Sequence, residues 1–145
     1  MTEAVLLDSG TLSELSRGHG RVTAAARKYL AAHGRLTISA VTIFERLRGY
    51  QLAIRAGKPF EEHERSFRAL AATCRVLAID SDVADQAANL WAQLSARKRQ
   101  ALGDILIAAT ASAYDLPLAT RNRRDFGPMS KLAGVRLRLV DWTKV

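Results

Sequence analysis

The sequence predicts an α/β fold: a mainly parallel central sheet of four to five short strands, covered by helices on both faces. Two observations carry this. Short apolar runs that end at turn signals read as buried strands. They alternate along the chain with longer helix-prone segments, and recurring strand–helix units build parallel sheets with helices packed on either side. A chain of 145 residues fits one domain spanning residues 1–145, large enough for a core without disulfides or structural metals.

The elements follow in order. Residues 4–7 (Ala-Val-Leu-Leu) form a first strand that stops at Asp8-Ser9-Gly10, a turn signal. Residues 21–32 are Ala-rich and helix-prone, with His33-Gly34 as the stop. Leu36, Thr37 and Ile38 make a second brief strand, after which Ser39 caps a helix running toward Gly57, with Pro59 beyond. A further helix covers residues 61–72, and a third strand residues 76–79. Asp80-Ser81-Asp82 caps an amphipathic helix over 83–96. Residues 105–113 are apolar nearly all round, the mark of a buried helix; 116–119 form strand four, and 135–140 an edge strand. There is no repeat, low-complexity tract or linker.

Composition narrows the function. Hydrophobic residues make up 48% and Pro is scarce, so the chain is globular. The 22 Lys and Arg outnumber the 14 Asp and Glu, giving a net charge of +8 that favours an anionic partner, nucleic acid first among them. The single cysteine, Cys74, cannot form an internal disulfide and has no histidines at zinc spacing, consistent with a reducing, cytoplasmic setting. No basic start precedes a long apolar run, and no segment reaches the ~20 apolar residues that cross a bilayer. A soluble, unexported protein without a membrane partner is expected.

Against this basic background, four acids stand at strand ends or helix starts: Asp8, Glu45, Asp104 and Asp125. Three adjoin apolar segments, where a carboxylate is costly unless paired, hydrogen-bonded or metal-bound. In such sheets the carboxyl ends of the strands line the functional crevice. Residues distant in sequence can therefore meet at one rim, and a loose carboxylate cluster suits Mg²⁺ or Mn²⁺. Taken singly, each acid has a plainer role: turn or cap for Asp8 and Asp125, a solvated ion pair for Glu45 beside Arg46 and Arg48, a helix-dipole partner for Asp104. His19, His33 and His63 share no ligand spacing. Ser9, Ser13 and Ser39 lack a nucleophile-elbow context, and Gly18-His19-Gly20 lacks the lysine of a phosphate loop. Gly10 removes the second acid that an aspartyl phosphatase would need. Tyr29, Tyr50, Trp91 and Tyr114 receive packing roles. Basic clusters occur at Arg97-Lys98-Arg99, at Arg121, Arg123 and Arg124, and at Lys131, Arg136 and Arg138. The first two flank the Asp104 and Asp125 segments.

Four stretches in order, residues 6–15, 38–49, 103–111 and 118–126, resemble those of PIN-domain ribonucleases, and within them the VapC-type toxins of bacterial toxin–antitoxin pairs. The resemblance covers almost the whole chain and implies a PIN-like three-layer fold. It also implies a metal-dependent endoribonuclease that hydrolyses RNA phosphodiester bonds, with Mg²⁺ or Mn²⁺ held directly or through waters and activating the attacking water. It assigns Asp8, Glu45 and Asp104 to the metal-binding core, with Asp125 as the fourth carboxylate. Asn122 stands where many relatives carry an acid, and Ser9 and Thr120 support the site. Arg97, Lys98, Arg99, Arg121, Arg123 and Arg124 are the expected RNA contacts. A homodimer and a small VapB-like antitoxin are the implied protein partners, with 21–32 and 40–56 as candidate surfaces. One departure is Gly10, where the family usually has a polar residue after Asp-Thr or Asp-Ser; its loss predicts looser positioning of Asp8. A PIN module that binds nucleic acid with weak or no catalysis is the competing reading, and a DNA-directed nuclease a third.

Overall fold

The computed structural model describes residues 3–144. Five short strands, β1 (Leu6–Leu7), β2 (Thr37–Ser39), β3 (Arg75–Leu77), β4 (Leu118–Ala119) and β5 (Leu139–Val140), are separated by seven helices: α1 (Ser9–Ser16), α2 (Gly20–His33), α3 (Ala40–Arg55), α4 (Glu61–Thr73), α5 (Ser81–Gln93), α6 (Leu102–Ala113) and α7 (Arg123–Met129). All strand pairings are parallel. They form two hydrogen-bonded ladders, β2–β3 and β1–β4–β5, with β1 lying beside β2. The resulting order is β3-β2-β1-β4-β5.

Successive side chains on a strand point to opposite faces, and here each face is covered. Leu6 and Leu118 enter a core with Val83, Leu90, Ile105, Ala108 and Phe126 from α5, α6 and α7. Their neighbours Leu7 and Ala119 enter a second core with Leu12, Val22, Tyr29 and Phe67 from α1, α2 and α4. The three-layer arrangement expected from sequence is therefore present. Continuous apolar strand sequence is its cause, because neither face of β1 or β4 meets water.

Boundaries differ from expectation. The third strand is Arg75–Leu77, because Arg75 N–H bonds to Leu36 O and fixes its register against β2. The fifth shrinks to Leu139–Val140, and α5 stops at Gln93. Two short helices, α1 and α7, occupy segments that read as turns. Both begin at residues singled out for function, Asp8 and Asn122, each of which is the N-cap. Among the described residues, no helix is long and apolar enough to cross a membrane.

Candidate active site

From β1 the chain moves to β2 and β3 on one side, then returns to place β4 and β5 on the other. The order reverses between β1 and β4, and a crevice opens at the carboxyl ends of strands at such a switch point. Asp8 follows β1 directly, and Thr120, Asn122 and Asp125 follow β4. Topology alone thus sets the first and last acidic segments side by side.

Asp8 is only 5% exposed. Its N–H bonds to Ala119 O (3.1 Å), and its Oδ1 accepts from Thr11 N–H (2.7 Å), capping α1. Thr11 Oγ1 donates to Ala119 O (2.8 Å), tying that helix to β4. The looser Asp8 expected from Gly10 is not what these bonds produce, since they come from Thr11 and β4. Gly10 leaves open space instead: a Cβ there would stand 3.6 and 3.7 Å from the two Asp8 oxygens, in ordinary contact.

Ser39 caps α3 through its hydroxyl on Val41 N–H (3.0 Å), so the helix starts directly after β2 and carries Glu45 in its second turn. Ser9 Oγ lies 3.1 Å from Glu45 Oε1 and 3.3 Å from the buried Thr42 Oγ1, holding the carboxylate toward β1. Among the described residues Glu45 has no ion pair of the kind expected of an ordinary surface Glu: Arg46 donates to Ser9 O (3.2 Å) and Ser13 Oγ (2.5 Å), and Arg48 lies over the Phe44 ring. Phe44 itself is 62% exposed and does not help bury Glu45. The Glu45 carboxylate packs against Gly103, where a Cβ would collide with Oε2. Glycine at that position is therefore what lets the carboxylate reach the N-terminus of α6. Its N-cap, Ala101, makes no side-chain cap hydrogen bond, and Asp104 is the acid of its first turn, where the dipole favours negative charge.

Asp104 sits in the first turn of α6. Burial first, and then the charges of Asp125, Glu45 and Asp8, raise its pKa from 3.8 to about 6. Across the crevice, Asn122 and Asp125 bond reciprocally. Asn122 Nδ2 donates to Asp125 Oδ2 (2.9 Å), and Asp125 N–H donates to Asn122 Oδ1 (3.3 Å). The buried Thr120 Oγ1 accepts from Asn122 N–H (2.9 Å). Asn122 thus works as a cap and a brace, and Asp125 is the carboxylate on this side.

The four side chains offer oxygen only, and the charges of three of them add to the burial that raises the fourth, Asp104. Such chemistry fits a hard divalent cation. Among the described residues, no three Asp, Glu, His or Cys side chains stand close enough to chelate an ion directly. A cation that keeps several of its own waters matches this looser spacing better than a fully protein-bound one.

The six candidate RNA-contacting cations separate in space. Arg97, Lys98 and Arg124 line one cavity with Asp125. Arg99 lies 4.0 Å over the Trp91 ring, with Nε donating to Trp91 O (2.9 Å); Arg121 pairs with Glu14 (3.0 Å); Arg123 is exposed on α7. The histidines have local roles: His19 caps α2, while His33 and His63 pack on Tyr29 and Phe60. Sequence reasoning missed the parts played by Thr11, Thr42, Arg46 and Gly103. Only Gly103, a glycine inside the first turn of an otherwise apolar helix, carried a signal that could have been read.

Fold and site together define an α/β protein with a four-carboxylate crevice at the switch point of a parallel sheet. Residues 5–132 match the PIN domain family, and the chain belongs to it. Solved structures share the fold over nearly their whole length. FitAcB from Neisseria gonorrhoeae is 26% identical with a TM-score of 0.70, covering 97% of this chain and 99% of that one. A toxin–antitoxin complex from Klebsiella pneumoniae is 25% identical with a TM-score of 0.60, covering 94% and 96%. VapBC-1 from nontypeable Haemophilus influenzae is 22% identical with a TM-score of 0.72, covering 97% and 98%. No curated protein matches the chain by sequence.

Proposed function

We propose that this PIN domain is the VapC-like toxin of a toxin–antitoxin pair, a cytoplasmic endoribonuclease dependent on Mg²⁺ or Mn²⁺. The observation that carries the reading is that Asp8, Glu45 and Asp125 all act on the half-buried Asp104, whose carboxyl is raised to about 6 by burial first and then by their three charges. Structural roles alone give four acids no reason to share one crevice, since each could be satisfied by a cap or an ion pair elsewhere.

Asp8, Glu45, Asp104 and Asp125 would hold the cation, directly or through water. When bound, the ion supplies water activation and charge neutralisation at a phosphoryl group. The chain's own residues do the positioning. Thr11 and Ala119 fix Asp8, Ser9, which also meets Thr42, orients Glu45, and Asn122 sets Asp125. The net charge of +8 draws the polyanion in.

Likeness to a toxin–antitoxin complex supports a VapB-like antitoxin as partner, and a homodimer is proposed with it. The grooves between α3 and α4, lined by Arg46, Tyr50 and Phe67 and by Ile43, Leu47 and Ala71, are the surfaces we assign to protein contacts; the 40–56 segment forms one side of them and α4 the other.

The test is cleavage of total RNA and of single-stranded DNA by the purified, antitoxin-free protein, with either ion and with EDTA. RNA fragments that disappear with EDTA are expected. Preferential cutting of DNA would replace the RNA reading. Intact RNA with folded protein would leave a nucleic-acid-binding module.

A further inference from the structure

A cavity of ≈ 450 Å³ adjoins the acidic crevice, with Asp125 on the wall between them. It is lined by the exposed Arg97 and Lys98, from the segment after α5, and by the exposed Arg124 of α7. Ser95, Ala101, which precedes α6, and the buried Met129 complete the lining, the last two with apolar surface. The volume lies within the range of roughly 300–1,000 Å³ typical of small-molecule sites. Arg99 and Arg121 are engaged with Trp91 and Glu14, whereas Arg97, Lys98 and Arg124 stand exposed around the cavity.

The mixture of groups specifies the ligand. A bare anion gains nothing from a thioether and a methyl group, and a purely apolar ligand gains nothing from three cations. A nucleotide uses both, because its base is flat and largely apolar on its faces while its phosphates are charged. A base can enter such a cavity only when unstacked, which restricts it to single strands or loops.

We propose that this cavity is a nucleotide subsite beside the scissile bond. It takes one unstacked base of single-stranded RNA against Met129 and Ala101, while Arg97, Lys98 and Arg124 hold the flanking phosphates. This deepens the ribonuclease reading and rests on it for the identity of the strand.

The test is fluorescence anisotropy of a labelled single-stranded RNA octamer in EDTA, where neither metal nor cleavage enters. Arg97→Ala/Arg124→Ala is compared with Arg35→Ala/Arg75→Ala, which removes the same charge from exposed positions remote in sequence from the cavity. The cavity variant is expected to bind about tenfold more weakly than the control, with its salt slope reduced by about 1.4 for two lost phosphate contacts. Ala101→Leu fills the cavity and leaves the charges in place. It should lower affinity about fivefold or more through lost base contact, with the salt slope unchanged and binding of an abasic octamer unaffected. Equal losses in the cavity and control variants, or an Ala101→Leu protein that binds the octamer like wild type, would overturn the proposal. Normal octamer binding without cleavage of any RNA under Mg²⁺ or Mn²⁺ would remove the nuclease reading and leave the subsite standing.

Discussion

The two walls of the acidic crevice are built differently. On the β1 side, Asp8 is buried, bonded to Thr11 and to β4 through Ala119, and Glu45 is bound to Ser9 and wedged against Gly103. On the β4 side, Asp125 is exposed on a short helix, with Asn122 as its brace. One wall is locked into the core, and the other is exposed and held through a cap. The buried wall fixes two of the proposed ligands, whereas the exposed wall, with Arg124 beside Asp125, lies open to a polymer of variable sequence. Substitutions should respect this division.

The largest effect is expected at Asp8, whose two roles can be separated. Asn preserves the cap on α1, so Asp8→Asn should melt close to wild type, while Ala should cost about 1 kcal/mol through the lost cap. Both should reduce RNA cleavage by about 10³-fold or more, if the lost carboxylate is a metal ligand whose absence removes several kcal/mol of charge stabilisation. Paired thermal melts and initial rates check this. A stable, active Asp8→Asn protein would reduce Asp8 to a cap.

Gly103→Ala comes next. A methyl there strikes the Glu45 carboxylate, and the expected outcome is about a tenfold loss of activity, in line with changes to groups that orient metal ligands. Alanine's better helix propensity, about 1 kcal/mol, works in the opposite direction on stability. Loss of activity without loss of stability would place the effect at Glu45.

Asn122→Ala breaks both the α7 cap and the brace on Asp125. It should lower stability by about 1 kcal/mol, and the exposure of this wall predicts that kcat falls less than in the Gly103 variant. An Asn122→Ala defect equal to that of Asp8→Asn would erase the distinction between the walls.

Asp104 responds to pH. Its carboxyl is raised from 3.8 to about 6, so the folded protein binds this proton more tightly than the unfolded chain. The group's contribution favours the fold at acidic pH and is lost as pH rises between 3.8 and about 6. Asp104→Asn should consequently melt higher than wild type at pH 7.5 and nearly the same at pH 4. Urea titrations across that window provide the check; a variant less stable than wild type at pH 7.5 would contradict the crowding of charge.

These contacts also mark what the sequence could and could not show. The sheet and its two covered faces were legible, because Leu6-Leu7 and Leu118-Ala119 carry no polar residue to face water. Ser39 and Asp80 announced the helices they cap. Helices α1 and α7 were not legible. Asp8-Ser9-Gly10 has the chemistry of a turn, and only its docking under β4 through Thr11 commits it to a helix. In α7, Gly127 and Pro128 argue against a helix that tertiary packing of Phe126 and Met129 nevertheless stabilises. Candidate acids could be named from their places at element ends. Their partners could not, because Ser9–Glu45 and Glu45–Gly103 depend on how α3 is rotated against α1 and α6. The basic clusters were read as one class, and the split between cavity-facing and engaged arginines required the positions of Glu14 and Trp91.

The most direct measurement is Mn²⁺ binding followed by electron paramagnetic resonance at pH 7.5, for wild type, Asp8→Asn and Asp104→Asn. A single crevice formed by four carboxylates predicts saturable binding by the wild type and weakening by about tenfold or more in each variant, since each loses one charged ligand. Wild-type affinity in both variants would show that these carboxylates do not hold the ion.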